Sequence, residues 1–149
     1  MFIGEICNRN VVIASRDTSI TQLAQLMREH HVGSIVITEV QNECNIPVGI
    51  ITDRDLVIEL LSKEIEPSSV ATGDVMSTEL ITVRESNHVY DTLKLMRGKG
   101  IRRVPVVNDE KVLIGIVTVD DLLDVVISEL DDIVNIVAIE QKREKQLRQ

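Results

Sequence analysis

Two short runs hold the residues best placed to do chemistry: GIITDRDL at 49–56 and GIVTVDDL at 115–122. Each sets a Gly and two branched aliphatics before a Thr, with an Asp three residues after it: Thr52 with Asp55, Thr118 with Asp121. A Thr followed at that spacing by a carboxylate and an apolar run is a helix N-terminal capping box. A helix N-terminus also carries free N–H groups and the positive end of the helix dipole, where a polar or anionic ligand docks. The residues alone leave both readings open.

Other chemistry is poorly supported. No Ser-His-Asp, HExxH or Walker pattern occurs, so no enzyme is expected. His30 and His31 close a helix, where a cation suits the dipole, and His88 has no Cys or His at metal-ligand spacing. The carboxylates from Asp120 to Asp132 are spaced unlike an EF-hand loop. No metal and no required cofactor are therefore expected. Cys7 and Cys44 form neither a disulfide framework nor a CxxC, which suits a reducing, cytoplasmic compartment. A net charge of −8 with one Phe, one Tyr and no Trp gives neither a basic field nor a stacking platform for nucleic acid. The opening MFIGEICNRN lacks an apolar run, so no signal peptide is expected, and carboxylates throughout residues 119–139 veto a membrane span.

The elements that must position the two boxes come as a repeat. An offset of 69 sets IGEIC (3–7) on TGDVM (72–76), LMR (26–28) on LMR (95–97), and VGSIVI (32–37) on IRRVPV (101–106). The offset then falls to 66, because TEVQNECNIP is three residues longer than its counterpart, a change that belongs in a hairpin loop. Each copy reads as a short strand (VVIA or LITV), a helix with i, i+3, i+4, i+7 apolar spacing, two further strands, and a closing helix that starts at the TxxD box. The expected fold is therefore α/β (α+β): two tandem β-α-β-β-α repeats at 3–61 and 72–128, a linker at 62–71, and a C-terminal amphipathic helix at 129–149.

The GhhTxxD turn, the GDVM start and the IRRVPVV strand resemble the cystathionine-β-synthase (CBS) domain, and two such repeats in tandem resemble a Bateman module. The resemblance implies pseudo-two-fold symmetry and a noncatalytic regulatory module. Its cleft would bind AMP, ADP or ATP, or alternatively S-adenosylmethionine. The turn Asp would hold the ribose, the Thr ribose or phosphate, and aliphatic side chains the adenine. Carried onto this chain, one site combines Thr52 and Asp55 with Ile81, Arg102 and Arg103; its counterpart combines Thr118 and Asp121 with Val12, Gly33 and Ser34. Pro105, in the same strand as the arginines, counts among the nucleotide-binding positions.

The chemistry fits, since a carboxylate accepts charge-assisted bonds from both hydroxyls of a ribose diol. Arg102 is the preferred phosphate ligand. Neighbours in one strand point to opposite faces, which leaves Arg103 either at the phosphate or as a solvated or dimer-edge charge. Arg54 either touches phosphate or stabilises the surface. The rival reading is a CBS pair without ligand, serving as a dimerisation or interaction module. A homodimer through the DLVIELL and DLLDVVI faces is expected, along with a regulated protein partner that the residues do not name. In the terminal segment Leu130, Ile133, Val134, Val137 and Ile139 form an apolar stripe in need of a partner: its own module, a second subunit, or another protein.

Overall fold

The computed structural model describes residues 1–77 and 79–148. The first half contains α1 (Ile3–Ile6), β1 (Ile13–Ala14), α2 (Ile20–His30), β2 (Ser34–Gln41), β3 (Cys44–Thr52) and α3 (Asp53–Leu56), which runs on as a π turn, Val57–Leu61. After a 3₁₀ turn at Pro67–Ser69 the second half repeats the order. It contains α4 (Thr72–Val75), β4 (Val83–Arg84), α5 (Val89–Lys99), β5 (Arg103–Val107), β6 (Leu113–Thr118) and α6 (Val119–Leu147).

Each half builds a three-stranded sheet in which the first strand runs parallel to the middle one and the middle strand antiparallel to the third. The opening strands are shorter than their apolar runs suggest. Only Ile13–Ala14 and Val83–Arg84 form strand, so each starts later than its apolar run, and a polar turn then closes the first, where Thr18 Oγ1 takes the Ser15 N–H at 3.0 Å. The helix α2 starts at a reciprocal cap, Ser19 with Gln22, and stops at His31 in the left-handed region (φ 53°). Its counterpart α5 stops at Gly100 (φ 65°), a conformation that suits glycine. One apolar face of each helix covers its sheet. Leu23 and Met27 lie over Ile35, Ile37 and Ile51, while Met96 lies over Val104, Val106 and Val117.

The two halves exchange their openings. Gly4 N–H bonds to Glu85 O at 2.9 Å, Asn8 and Ile116 exchange both backbone bonds at 2.9 Å, and Ile3 is fully buried in the second core. In return Gly73 N–H reaches Arg16 O at 3.1 Å, Ser77 N–H reaches Ile50 O at 3.3 Å, and Met76 fills the first core. The buried Thr72 hydroxyl donates to the Thr18 carbonyl. Burying Ile3 or Met76 in the opposite core contributes about 1.5–3 kcal/mol each, which ties the repeats into one body.

This exchange explains the glycine at the head of each box. A methyl group on Gly49 would lie 2.6 Å from Met76 Sδ and 3.1 Å from Ser77 O. On Gly115 it would lie 2.8 Å from Cys7 Sγ and 3.1 Å from Asn8 O. The glycines make room for the crossing segment, and the equivalence of Cys7 and Met76 in the alignment follows from that shared place.

Candidate functional site

Both TxxD boxes are closed as reciprocal caps. Thr52 N–H donates to Asp55 Oδ2 at 2.8 Å, and Asp55 N–H to Thr52 Oγ1 at 3.1 Å. Thr118 N–H donates to Asp121 Oδ2 at 2.7 Å, the Thr118 hydroxyl to the same oxygen at 2.8 Å, and Asp121 N–H to Thr118 Oγ1 at 3.3 Å. The capping therefore engages Oδ2, and among the described residues Asp121 Oδ1 accepts no hydrogen bond.

The two helix starts differ in the N–H groups they leave. In α3, Asp53 N–H goes to Gly33 O at 3.1 Å, Arg54 N–H to Asp53 Oδ1 at 2.8 Å, and Asp55 N–H to Thr52. That helix start has no free donor in its first turn for a phosphate. In α6, Val119 N–H goes to Arg102 O at 2.8 Å and Asp121 N–H to Thr118, which leaves the N–H of Asp120.

Of the hollows between the repeats, two are lined by residues chosen from the sequence. A cavity of about 230 Å³ brings Thr118 and Asp121 from α6 and its cap together with Val12, Gly33 and Ser34 from the first half, and with Arg103 from β5. Gly33 forms its floor, where a methyl group would stand 3.3 Å from Asp53 Oδ2 and 3.4 Å from Arg103 Nη1. Glycine here lets the guanidinium of one repeat lie across the backbone of the other. A second hollow, about 380 Å³, is lined by Thr52, Arg54, Arg102 and Arg103 with Ile50, Asp53 and Ile101. Three guanidiniums against one carboxylate make it a positive spot on a chain of net charge −8.

Several sequence-chosen residues stand elsewhere. Asp55 does not line the second hollow; its Oδ2 is turned back to Thr52 N–H. Ile81 packs against the second core, and Pro105 is buried in the sheet opposite Ile116. Arg103, grouped with Thr52 in the sequence, lines both hollows, whereas the exposed Arg102 lines only the second. The sequence reading passed over Asn8 and Asn10, which supply polar groups to the Asp121 cavity. The signal lay in the repeat itself, whose 69-residue offset sets Asn8 and Asn10 on Ser77 and Glu79. Of these four side chains only the two amides line either hollow. Beneath the cavity, burial pushes the Cys7 thiol up; Arg9 offsets part of the rise, while Glu85 and Asp121 add to it.

The CBS domain family matches residues 3–62 and 72–128 of the chain. An uncharacterized protein of Methanopyrus kandleri is 46% identical over 123 residues, a match covering 83% of this chain and 61% of that one. Hypoxic response protein 1 of Mycobacterium tuberculosis is 30% identical over 118 residues, 79% of this chain and 80% of its own. Among solved structures, the CBS domain pair of protein MJ0100, in complex with 5′-methylthioadenosine and S-adenosyl-L-methionine, superposes with a TM-score of 0.73 at 26% identity. That match covers 84% of this chain and 98% of the other. No helix among the described residues is long and apolar enough to cross a membrane.

Proposed function

The chain belongs to the CBS domain family, and from that premise we propose that it is a noncatalytic regulatory module whose Asp121 cavity binds an adenosine-containing ligand of the AMP, ADP or ATP class. One observation carries the reading: Asp121 comes from one repeat, Val12, Gly33 and Ser34 from the other, and Asp121 Oδ1 is left for a ribose hydroxyl. The adenosine-type ligands in the MJ0100 complex support the ligand class and keep S-adenosylmethionine as the alternative. The cavity volume lies below the roughly 300–1,000 Å³ of pockets that engulf a drug-sized ligand. A nucleotide seated by its ribose therefore leaves its phosphates outside, toward Arg103 and then Arg102 and Arg54. The arginines, rather than the spent N–H groups of α3, supply the anion contacts.

The module works as a cytoplasmic homodimer that relays ligand occupancy to a protein partner. Val57, Ile58 and Leu61 on one helix and Leu123, Val126 and Ile127 on the other are exposed aliphatics suited to pairing with a second copy. Calorimetric titration with adenosine, AMP, ADP, ATP and S-adenosylmethionine tests the sensing role. The expected result is saturable binding of at least one nucleotide, weakened roughly ten- to a hundredfold in Asp121→Ala. Failure of all five to bind would leave the pair as an interaction module with an empty cleft.

A further inference from the structure

We infer that the exposed face of α6 pairs antiparallel, over the length of the helix, with the same face of a second copy of this chain. Every residue from Val126 to Arg148 is exposed, so none of the other described residues covers it. Most helical stability in proteins comes from packing an apolar face, and this stretch packs on none of the other described residues. Its exposed surface is also patterned. Leu123, Val126, Ile127, Leu130, Ile133, Val134 and Val137 recur at spacings of three and four, which at about 100° per residue gathers them within roughly a third of the helix circumference. The stripe runs on past the family match, which ends at residue 128, so the domain fold does not account for it.

Charge identifies the occupant and its direction. Every charged residue from Val119 to Glu140 is a carboxylate, and four of the five from Gln141 to Arg148 are cations. Two copies laid parallel would set acid on acid and base on base. Laid antiparallel and centred near Ile133, each basic end lies along the partner's acidic stretch while the two stripes close on one another. Unlike charges flanking an apolar seam are what fix partner and orientation in paired helices. This deepens the self-association proposed above by carrying the α6 face it already uses, Leu123 to Ile127, on through Val137, and it does not depend on the nucleotide.

The test uses the full-length chain. Sedimentation should show a dimer at micromolar concentration. Val134→Lys/Val137→Lys should weaken it about tenfold or more with unchanged circular dichroism, because both side chains are already exposed in the single chain. Lys142→Glu/Arg143→Glu should weaken it in the same direction. Leu61→Lys separates the two contacts: if it alone dissociates the dimer while the Val134→Lys/Val137→Lys variant stays paired, this inference fails and the pairing of the repeat faces stands. A short bis-maleimide should link Val134→Cys into covalent dimers above the wild-type background set by Cys7 and Cys44, and leave Gln146→Cys at background. Strong linkage of Gln146→Cys would overturn the antiparallel arrangement. A wild-type chain that sediments as a monomer would overturn the pairing and assign the stripe to a different protein.

Discussion

The two box aspartates have the same local bonds but different surroundings, so removing them separates capping from ligand contact. Asp121→Ala should weaken binding of the adenosine ligand by about 1.5–3 kcal/mol, roughly ten- to a hundredfold, on top of a cap loss of about 1 kcal/mol. Asp55→Ala should show mainly the cap loss, because Asp55 does not line the hollow beside it. Calorimetry for affinity and thermal unfolding for the cap read the two effects apart, and equal losses of affinity would place ribose at both boxes. Cys7 offers a second check at this scale. Its folded-state pKa is raised, first by burial, so the unfolded chain gives up its thiol proton at lower pH than the folded one. The contribution to stability is whole below the ordinary thiol range of about 8.5 and declines as pH rises toward the folded value. Stability should therefore fall on the alkaline side, and less so in Cys7→Ala, as denaturant titrations at pH 7 and pH 10 would report.

Between elements, the crossing of α1 and α4 into the opposite halves decides what each box glycine does. A methyl at either glycine meets a carbonyl at 3.1 Å, but its other neighbour is the short Cys7 side chain at Gly115 and the flexible Met76 side chain at Gly49. Gly115→Ala should cost about 1–3 kcal/mol and Gly49→Ala less. Cys7→Ala should recover part of the Gly115→Ala loss, giving a nonzero coupling in a double-mutant cycle of unfolding free energies. The repeat, the helices and the TxxD caps were legible in the sequence because each depends on local periodicity and spacing. The exchange was not, because IGEIC and TGDVM fit either half equally well by pattern, and only three-dimensional packing decides which core takes Ile3 and Met76. Arg103 was grouped with Thr52, with which it lines the second hollow, but its place in the Asp121 cavity was not legible. Strand alternation tells which face a side chain takes but not how far a guanidinium reaches across Gly33 into the neighbouring cavity.

At the scale of the whole molecule, the two hollows share one guanidinium, and the net charge gives that sharing weight. On a chain of net charge −8, Arg54, Arg102 and Arg103 make a local positive spot beside the Asp121 cavity that draws a phosphate. A ligand held by Asp121 and Arg103 of the second repeat against Val12, Gly33 and Ser34 of the first grips both repeats, so it stabilises the native chain by mass action, about 2.7 kcal/mol at a hundredfold excess over its dissociation constant. AMP should then raise the melting temperature more than adenosine at equal concentration, because only AMP reaches the arginines. Arg103→Ala should abolish that difference, since Arg103 alone touches both hollows, and Arg102→Ala should reduce it by less. The comparison is a thermal-shift series of wild type and the two variants with each ligand. Equal shifts for adenosine and AMP in the wild type would remove phosphate from the arginines and leave only the ribose contact. A larger loss in Arg102→Ala than in Arg103→Ala would move the bound nucleotide into the Thr52 hollow, with its ribose away from Asp121.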